Sequence, residues 1–177
     1  MDAYLKLAKE TIEAFVKEGR IISPPKGLPI EMLNSKAGVF VSLHLKDGSL
    51  RGCIGTFAPT RKNIAEEIIY NAISSATQDP RFPPVKKKEL EKLIFSVDVL
   101  SASKSVSKDK LSDPKKYGLI VSATDGRRGL LLPDLPGIDT VEQQISICQQ
   151  KAGISPSEPV SYQTFTVERH KDFCGTI

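Results

Sequence analysis

The Asp47-Gly48 pair, with the runs on either side of it, constrains the fold of this chain more than any other stretch. Val39, Val41, Leu43 and Leu45 alternate with Phe40, Ser42, His44 and Lys46, the period of a strand with one buried face. Asp-Gly after such a run predicts a two-residue hairpin, because both central positions of a type I′ turn take positive φ. Pairing Leu45 with Leu50 then sets Leu43 opposite Gly52, Val41 opposite Ile54 and Phe40 opposite Gly55. One face collects Val39, Val41, Leu43, Leu45, Leu50 and Ile54 and is expected to meet the core. The other collects Phe40, Ser42, His44, Arg51 and Cys53. A one-residue slip would mix the two sets, so the apolar pattern itself supports the register. Ser42 then lies opposite Cys53. His44 lies opposite Arg51 and diagonal to Cys53, at about 7–8 Å between Cα atoms.

This second strand, Leu50-Arg51-Gly52-Cys53-Ile54-Gly55-Thr56, carries the chemistry the sequence offers. Cys53 is the candidate nucleophile, with Arg51 supplying a cation that lowers a thiol pKa and His44 as a candidate base. Gly52 and Gly55 let a carbonyl oxygen approach backbone N–H groups. Asp79-Pro80-Arg81-Phe82-Pro83-Pro84 is a proline-stiffened loop that displays Arg81 and Phe82. Arg51, Gly52, Gly55, Thr56, Arg81 and Phe82 are the candidate ligand-binding residues. Each has a plainer reading. A free cysteine is often a small buried hydrophobe, an arginine often a structural ion pair, and paired glycines often admit a close-packed helix. His44 also reads as an ordinary surface histidine.

The remaining elements follow from periodicity and punctuation. Helical spacing runs from about Asp2 to Glu18, with Gly19 as a stop, and prolines 24, 25 and 29 make an extended connector. Thr60 is the expected N-cap of a helix from about Arg61 to Gln78. Lys86–Leu93 reads as a short amphipathic turn, Ile94–Leu100 as a strand, and Ser101–Lys116 as a polar surface excursion. A second hairpin turns at Asp125-Gly126. Thr140 with Gln143 makes a capping box for a helix ending at Gly153, Val160–Val167 is a final strand, and the last ten residues are too polar to place. The expected class is α+β, with five or six mostly antiparallel strands and three principal helices.

Composition narrows function. Cys53, Cys148 and Cys174 are an odd number of widely spaced cysteines, which argues against a disulfide framework and a structural zinc site. Cys148 falls on an apolar helix stripe, while Cys174 and His170 offer no usable geometry. Asp98 and Glu168 are unpaired by spacing. The net charge of +4 favours an anion without requiring one. Lysine clusters without tryptophan and with few aromatics give no nucleic-acid platform, which leaves that reading third. No apolar run reads as a signal peptide or membrane span, so a cytoplasmic protein is expected. No metal or cofactor is implied.

The chain resembles the AMMECR family. The resemblance is carried by Leu50–Thr56, Asp79–Val85, Gly118–Val121, Gly129–Pro133, and Cys148 with Lys151-Ala152-Gly153, in the family's order and over nearly the whole chain. It implies one AMMECR-type domain over residues 1–177, with a larger and a smaller subdomain and a cleft between them. It also implies that the Cys53 strand lines a functional site, and a functional link to Memo-like and radical S-adenosylmethionine proteins. The reading that follows is a site lined by Cys53, Arg51 and Arg81 for a small anionic or carbonyl-bearing ligand, in an enzyme or an enzyme's partner in a modification pathway. The alternative is a non-catalytic adaptor that docks a protein.

Overall fold

A computed structural model describes residues 1–172; Cys174 lies outside the described residues. The described residues form two compact units, one of Met1–Leu100 together with 168–172, the other Ser101–Val167.

The first unit holds a four-stranded sheet in the order β2-β1-β3-β8, where β1 is Val39–His44, β2 Leu50–Thr56, β3 Ile94–Leu100 and β8 Val167–Lys171. Strands β1–β2 and β1–β3 pair antiparallel. Helices α1 (Ala3–Glu18) and α3 (Ile64–Thr77) supply the other side of its core. Leu5, Ala8 and Ile12 of α1, Ala65, Ile68 and Ala72 of α3, and Val39, Val41 and Leu43 of β1 are buried together. Each fully buried isoleucine or leucine contributes about 1.5–3 kcal/mol, so α3 is held chiefly by its apolar stripe. Asp2 caps α1 by accepting from the Leu5 amide, and Gly19 closes it at φ 67°. The connector expected to be extended contains one short helix, α2 (Ile30–Asn34).

The first hairpin departs from expectation in a specific way. Gly48 has φ +84°, and Asp47 is not among the residues at positive φ. Gly48 N–H donates to Leu45 O, and Leu45 N–H donates to Ser49 O. The loop is therefore three residues long, a turn followed by a left-handed glycine. Asp47 is held there by its own carboxylate, which accepts from the Ser49 amide at 2.9 Å and hydroxyl at 2.6 Å. Leu45 faces Ser49 and His44 faces Leu50, and Arg51 becomes the extra residue of a bulge before Leu43 meets Gly52. From Gly52 to Thr56 the register is as read from the sequence, with Ser42 opposite Cys53. Of the expected core face, Val39, Val41 and Leu43 are fully buried, while Leu45, Leu50 and Ile54 are only partly so.

The N-cap of α3 is Asn63, whose side chain accepts from the Glu66 amide, and not Thr60. Thr60 is occupied elsewhere: its amide and hydroxyl, with the Arg61 amide and the Thr56 hydroxyl, all donate to the Glu67 carboxylate. Lys87–Lys92 is a 3-10 helix.

The second unit holds the sheet β4-β7-β5-β6, with β4 Lys104–Val106, β5 Gly118–Ala123, β6 Arg128–Leu131 and β7 Val160–Phe165, all antiparallel. Helix α4 (Val141–Ala152) begins with the expected capping box and packs Ile145 and Cys148 against Leu119, Val121 and Leu131. In place of the expected five or six strands, the described residues form eight, in two sheets. The polar stretches passed over in the sequence contribute β4 and β8, and β6 is an edge strand.

Candidate functional site

Among the described residues strand β2 is an edge strand of its sheet, paired on one side with β1. At Cys53 its outer edge is met by the Asp79–Phe82 loop. Cys53 N–H donates to Asp79 Oδ2 at 2.8 Å, and Arg81 Nη2 donates to Cys53 O at 3.4 Å. Arg81 also clasps Asp79 through Nε to Oδ1 at 2.9 Å and Nη2 to Oδ2 at 2.7 Å. An acid and a guanidinium thereby replace the acceptor and donor of a neighbouring strand. Asp79 is 4% exposed. The Arg81 side chain bonded to it, together with the Cys53 amide, holds its carboxyl well below the usual carboxylate range. The Arg81 side chain itself is 55% exposed.

The Cys53 thiol is partly buried and accepts a hydrogen bond from Ser42 Oγ at 3.1 Å. Burial pushes its pKa up; Ser42 and the Arg81 charge oppose this, while Asp98 and Asp79 add to it, and the net direction is upward. The cation that acts on Cys53 is Arg81, not Arg51. The bulge and the fold of the following loop give Arg51 to Glu89 instead, through Nε at 2.8 Å and Nη2 at 3.3 Å, with a further bond from Nη2 to Pro83 O at 3.0 Å. Arg51 is 8% exposed. The guanidinium carbons of Arg81 and Arg51 stand 5.6 Å and 5.9 Å from the centroid of the Phe82 ring.

The glycines have packing reasons. A Cβ on Gly52 would run into the Ser75 carbonyl of α3, and one on Gly55 into the Phe40 ring. Thr56 belongs to the Glu67 cluster and also receives Asn71 Nδ2 at 3.2 Å. Burial tends to raise the Glu67 pKa, but the four donors outweigh it and the net direction is downward. His44 pairs across to Leu50 and Ile94. Its pKa is pushed down, first by burial and then by Lys171, so it is a neutral imidazole near pH 7. It forms no hydrogen bond or ion pair with Cys53.

The structure therefore brings Cys53, Arg81 and Phe82 together, stations Arg51 beneath Phe82, and leaves His44, Gly52 and Thr56 to other work. Asp79, Glu89 and Ser42 complete the arrangement. Ser42 is legible from the register. Asp79 carries a local signal, since an aspartate before proline readily bonds the residue two positions on; Glu89 carries none, being 38 residues from Arg51. Asp98, unpaired by spacing, is bound by Arg169 Nε at 2.7 Å and is 3% exposed. Glu168 lies 3.5 Å from His170 Nε2. Cys148 is fully buried and burial pushes its thiol up to about 12. Among the described residues no cluster of three or more His, Cys, Asp or Glu is placed to hold a metal ion, and no helix is long and apolar enough to cross a membrane.

Comparison with known proteins gives a consistent picture. The AMMECR1 family model matches residues 5–172. A protein of Thermotoga maritima is 52% identical over 169 residues, covering 95% of this chain and 97% of its own. A protein of Clostridium acetobutylicum is 50% identical over 173 residues, covering 97% of this chain, which spans only 36% of that longer protein. The crystal structure of an uncharacterised protein from Pyrococcus horikoshii superposes with a TM-score of 0.85 at 35% identity, over 96% of this chain and 90% of that one.

Proposed function

The chain belongs to the AMMECR1 family, and from that premise we propose that the β2 edge around Cys53 and Arg81 binds a small anionic or carbonyl-bearing ligand, as the work of an enzyme or of an enzyme's partner subunit. The observation that carries this reading is the use of Arg81. One side of its guanidinium is fixed by the buried Asp79 and by the Cys53 carbonyl, while the side chain stays more than half exposed. A preorganised cation beside a partly exposed thiol, over an aromatic ring, is the kind of group that receives a carboxylate or phosphate with little ordering penalty.

Cys53 serves in this reading as a lining group. Its elevated pKa and the absence of a bonded base argue against a resting thiolate at neutral pH. Arg51 supports the site from below through Phe82 and Glu89, and does not meet the ligand. A link to Memo-like and radical S-adenosylmethionine proteins remains part of the proposal through family resemblance. The adaptor reading draws on one observation of its own: the Clostridium acetobutylicum protein carries this domain as 36% of a longer chain, so the fold serves there as a module.

The test is ligand protection. Cys53 is alkylated with iodoacetamide at pH 8.5, in the presence of acetate or inorganic phosphate against chloride at equal ionic strength. Slower alkylation with either anion in the wild type, lost in Arg81→Gln, supports the site. Equal rates in all three salts would remove it.

A further inference from the structure

The free edge of β2 does not end at Cys53. In this antiparallel pair Gly52, Ile54 and Thr56 turn their backbone groups toward β1, opposite Leu43, Val41 and Val39. The residues between them turn outward, as the Cys53 amide demonstrates by bonding Asp79. Gly55 is the next outward residue, and among the described residues its N–H and C=O have no partner. Gly55 is partly exposed. Two residues away the edge is closed by Asp79 and Arg81, which already satisfy both backbone groups of Cys53. On the Arg81 guanidinium, Nε and Nη2 are engaged and Nη1 has no partner among the described residues.

We propose that this edge captures the C-terminus of an extended peptide, whose last residues pair with Gly55 and whose terminal carboxylate meets Arg81. The inference rests on the anion-site reading above and gives it a ligand class. Direction decides the end of the peptide. A strand added antiparallel to β2 runs from Thr56 toward Leu50, so its C-terminal end travels toward Cys53. It exchanges two hydrogen bonds with Gly55 and, one or two residues later at about 3.4 Å each, reaches backbone that is already satisfied. A continuing chain has nothing to pair with there, whereas a chain end brings an anion to a guanidinium with two unused N–H groups. Asp79 does not repel it strongly, because its side chain is 2% exposed and its charge is matched by Arg81. Affinity then comes from main-chain bonds, and selectivity for a chain end from the charge.

The experiment uses the full chain labelled with ¹⁵N and two probes, a pool of random tetrapeptides with free carboxyl ends and the same pool as C-terminal amides. The free-acid pool is expected to shift the Gly55 amide and the Arg81 Nε–H resonances, with the amide pool at least about tenfold weaker, the value of one charged contact. Arg81→Gln should lose that preference. If Arg81→Gln fails to fold, Arg81→Lys keeps the charge without the fork and should bind intermediately. Equal binding of both pools overturns the carboxylate assignment, and no shift at Gly55 overturns strand pairing. If acetate protects Cys53 but the peptides leave Gly55 unmoved, the peptide inference falls and the anion site stands. If neither anion nor peptide has an effect, both fall.

Discussion

Gly52→Ala separates packing from ligand access at the motif strand. The Cβ of an alanine would fall on the Ser75 carbonyl oxygen, which is helix backbone and cannot rotate away. The Leu43 side chain stands on the same side at 3.7 Å, so the strand cannot shift freely either. Relief requires α3 to lift from β2, where Ala72, Ser75 and Ala76 are at most 2% exposed. Overpacking of this kind costs about 1–3 kcal/mol, and a backbone obstacle places the change at the upper end. For a chain of this size each kcal/mol moves Tm by about 2–4 °C, so a fall of roughly 5–12 °C is expected in thermal denaturation followed by circular dichroism. Gly55→Ala is the internal comparison. Its Cβ would meet the Phe40 ring, which can turn, but also the Phe40 Cα at 2.6 Å, which is backbone of the neighbouring strand, so a loss of similar size is expected there. A Gly52→Ala protein that melts within 1 °C of the wild type would show that the glycine is not there for the helix, and the packing account would be wrong.

Cys53 should react with iodoacetamide at pH 7 more slowly than free cysteine, and about tenfold faster per pH unit until past the ordinary thiol value near 8.5. Ser42→Ala removes a bond that lowers the thiol pKa and should slow the reaction further. Arg51→Ala removes the cation from the Glu89 carboxylate, which keeps only the Lys86 amide, and takes the side-chain donor from the Pro83 carbonyl; urea denaturation should show a loss of about 2–4 kcal/mol. Asp79 is held below its unfolded pKa, so its contribution is fully present above the unfolded value and is lost as pH falls toward the folded one. Asp79→Asn should therefore be less stable than wild type near pH 7, with the gap closing as pH drops below about 4. A gap that is constant with pH would remove the ionic explanation.

What the sequence made legible was local. Alternation around Asp47-Gly48 placed Ser42 opposite Cys53, the capping box marked the start of α4, and a helix was expected where α3 lies. The turn type was not legible, because it depends on whether Asp47 adopts positive φ or bonds Ser49 instead, and the dipeptide permits both. That one residue of difference displaced Arg51 into a bulge and redirected its charge to Glu89. The N-cap of α3 moved for a similar reason, since Thr60 is claimed by a carboxylate seven positions on. Strand β8 carries no alternation of apolar residues. It is held by pairs across the chain, Arg169 with Asp98 and His170 with Asp2, which no window of sequence contains.

The sheet order β2-β1-β3-β8 has a consequence for the order of synthesis. Residues Ser101–Val167, the whole second unit, are made between the emergence of β3 and the emergence of β8. At about 5–20 residues per second, the far edge of β3 waits roughly 3–13 s for its partner, with Asp98 lacking the arginine that pairs with it. The nascent first unit therefore presents an incomplete sheet with a carboxylate at its open side. A charge on an edge strand discourages pairing with a foreign strand, so the residue that ties β8 in place also guards its vacancy until it arrives.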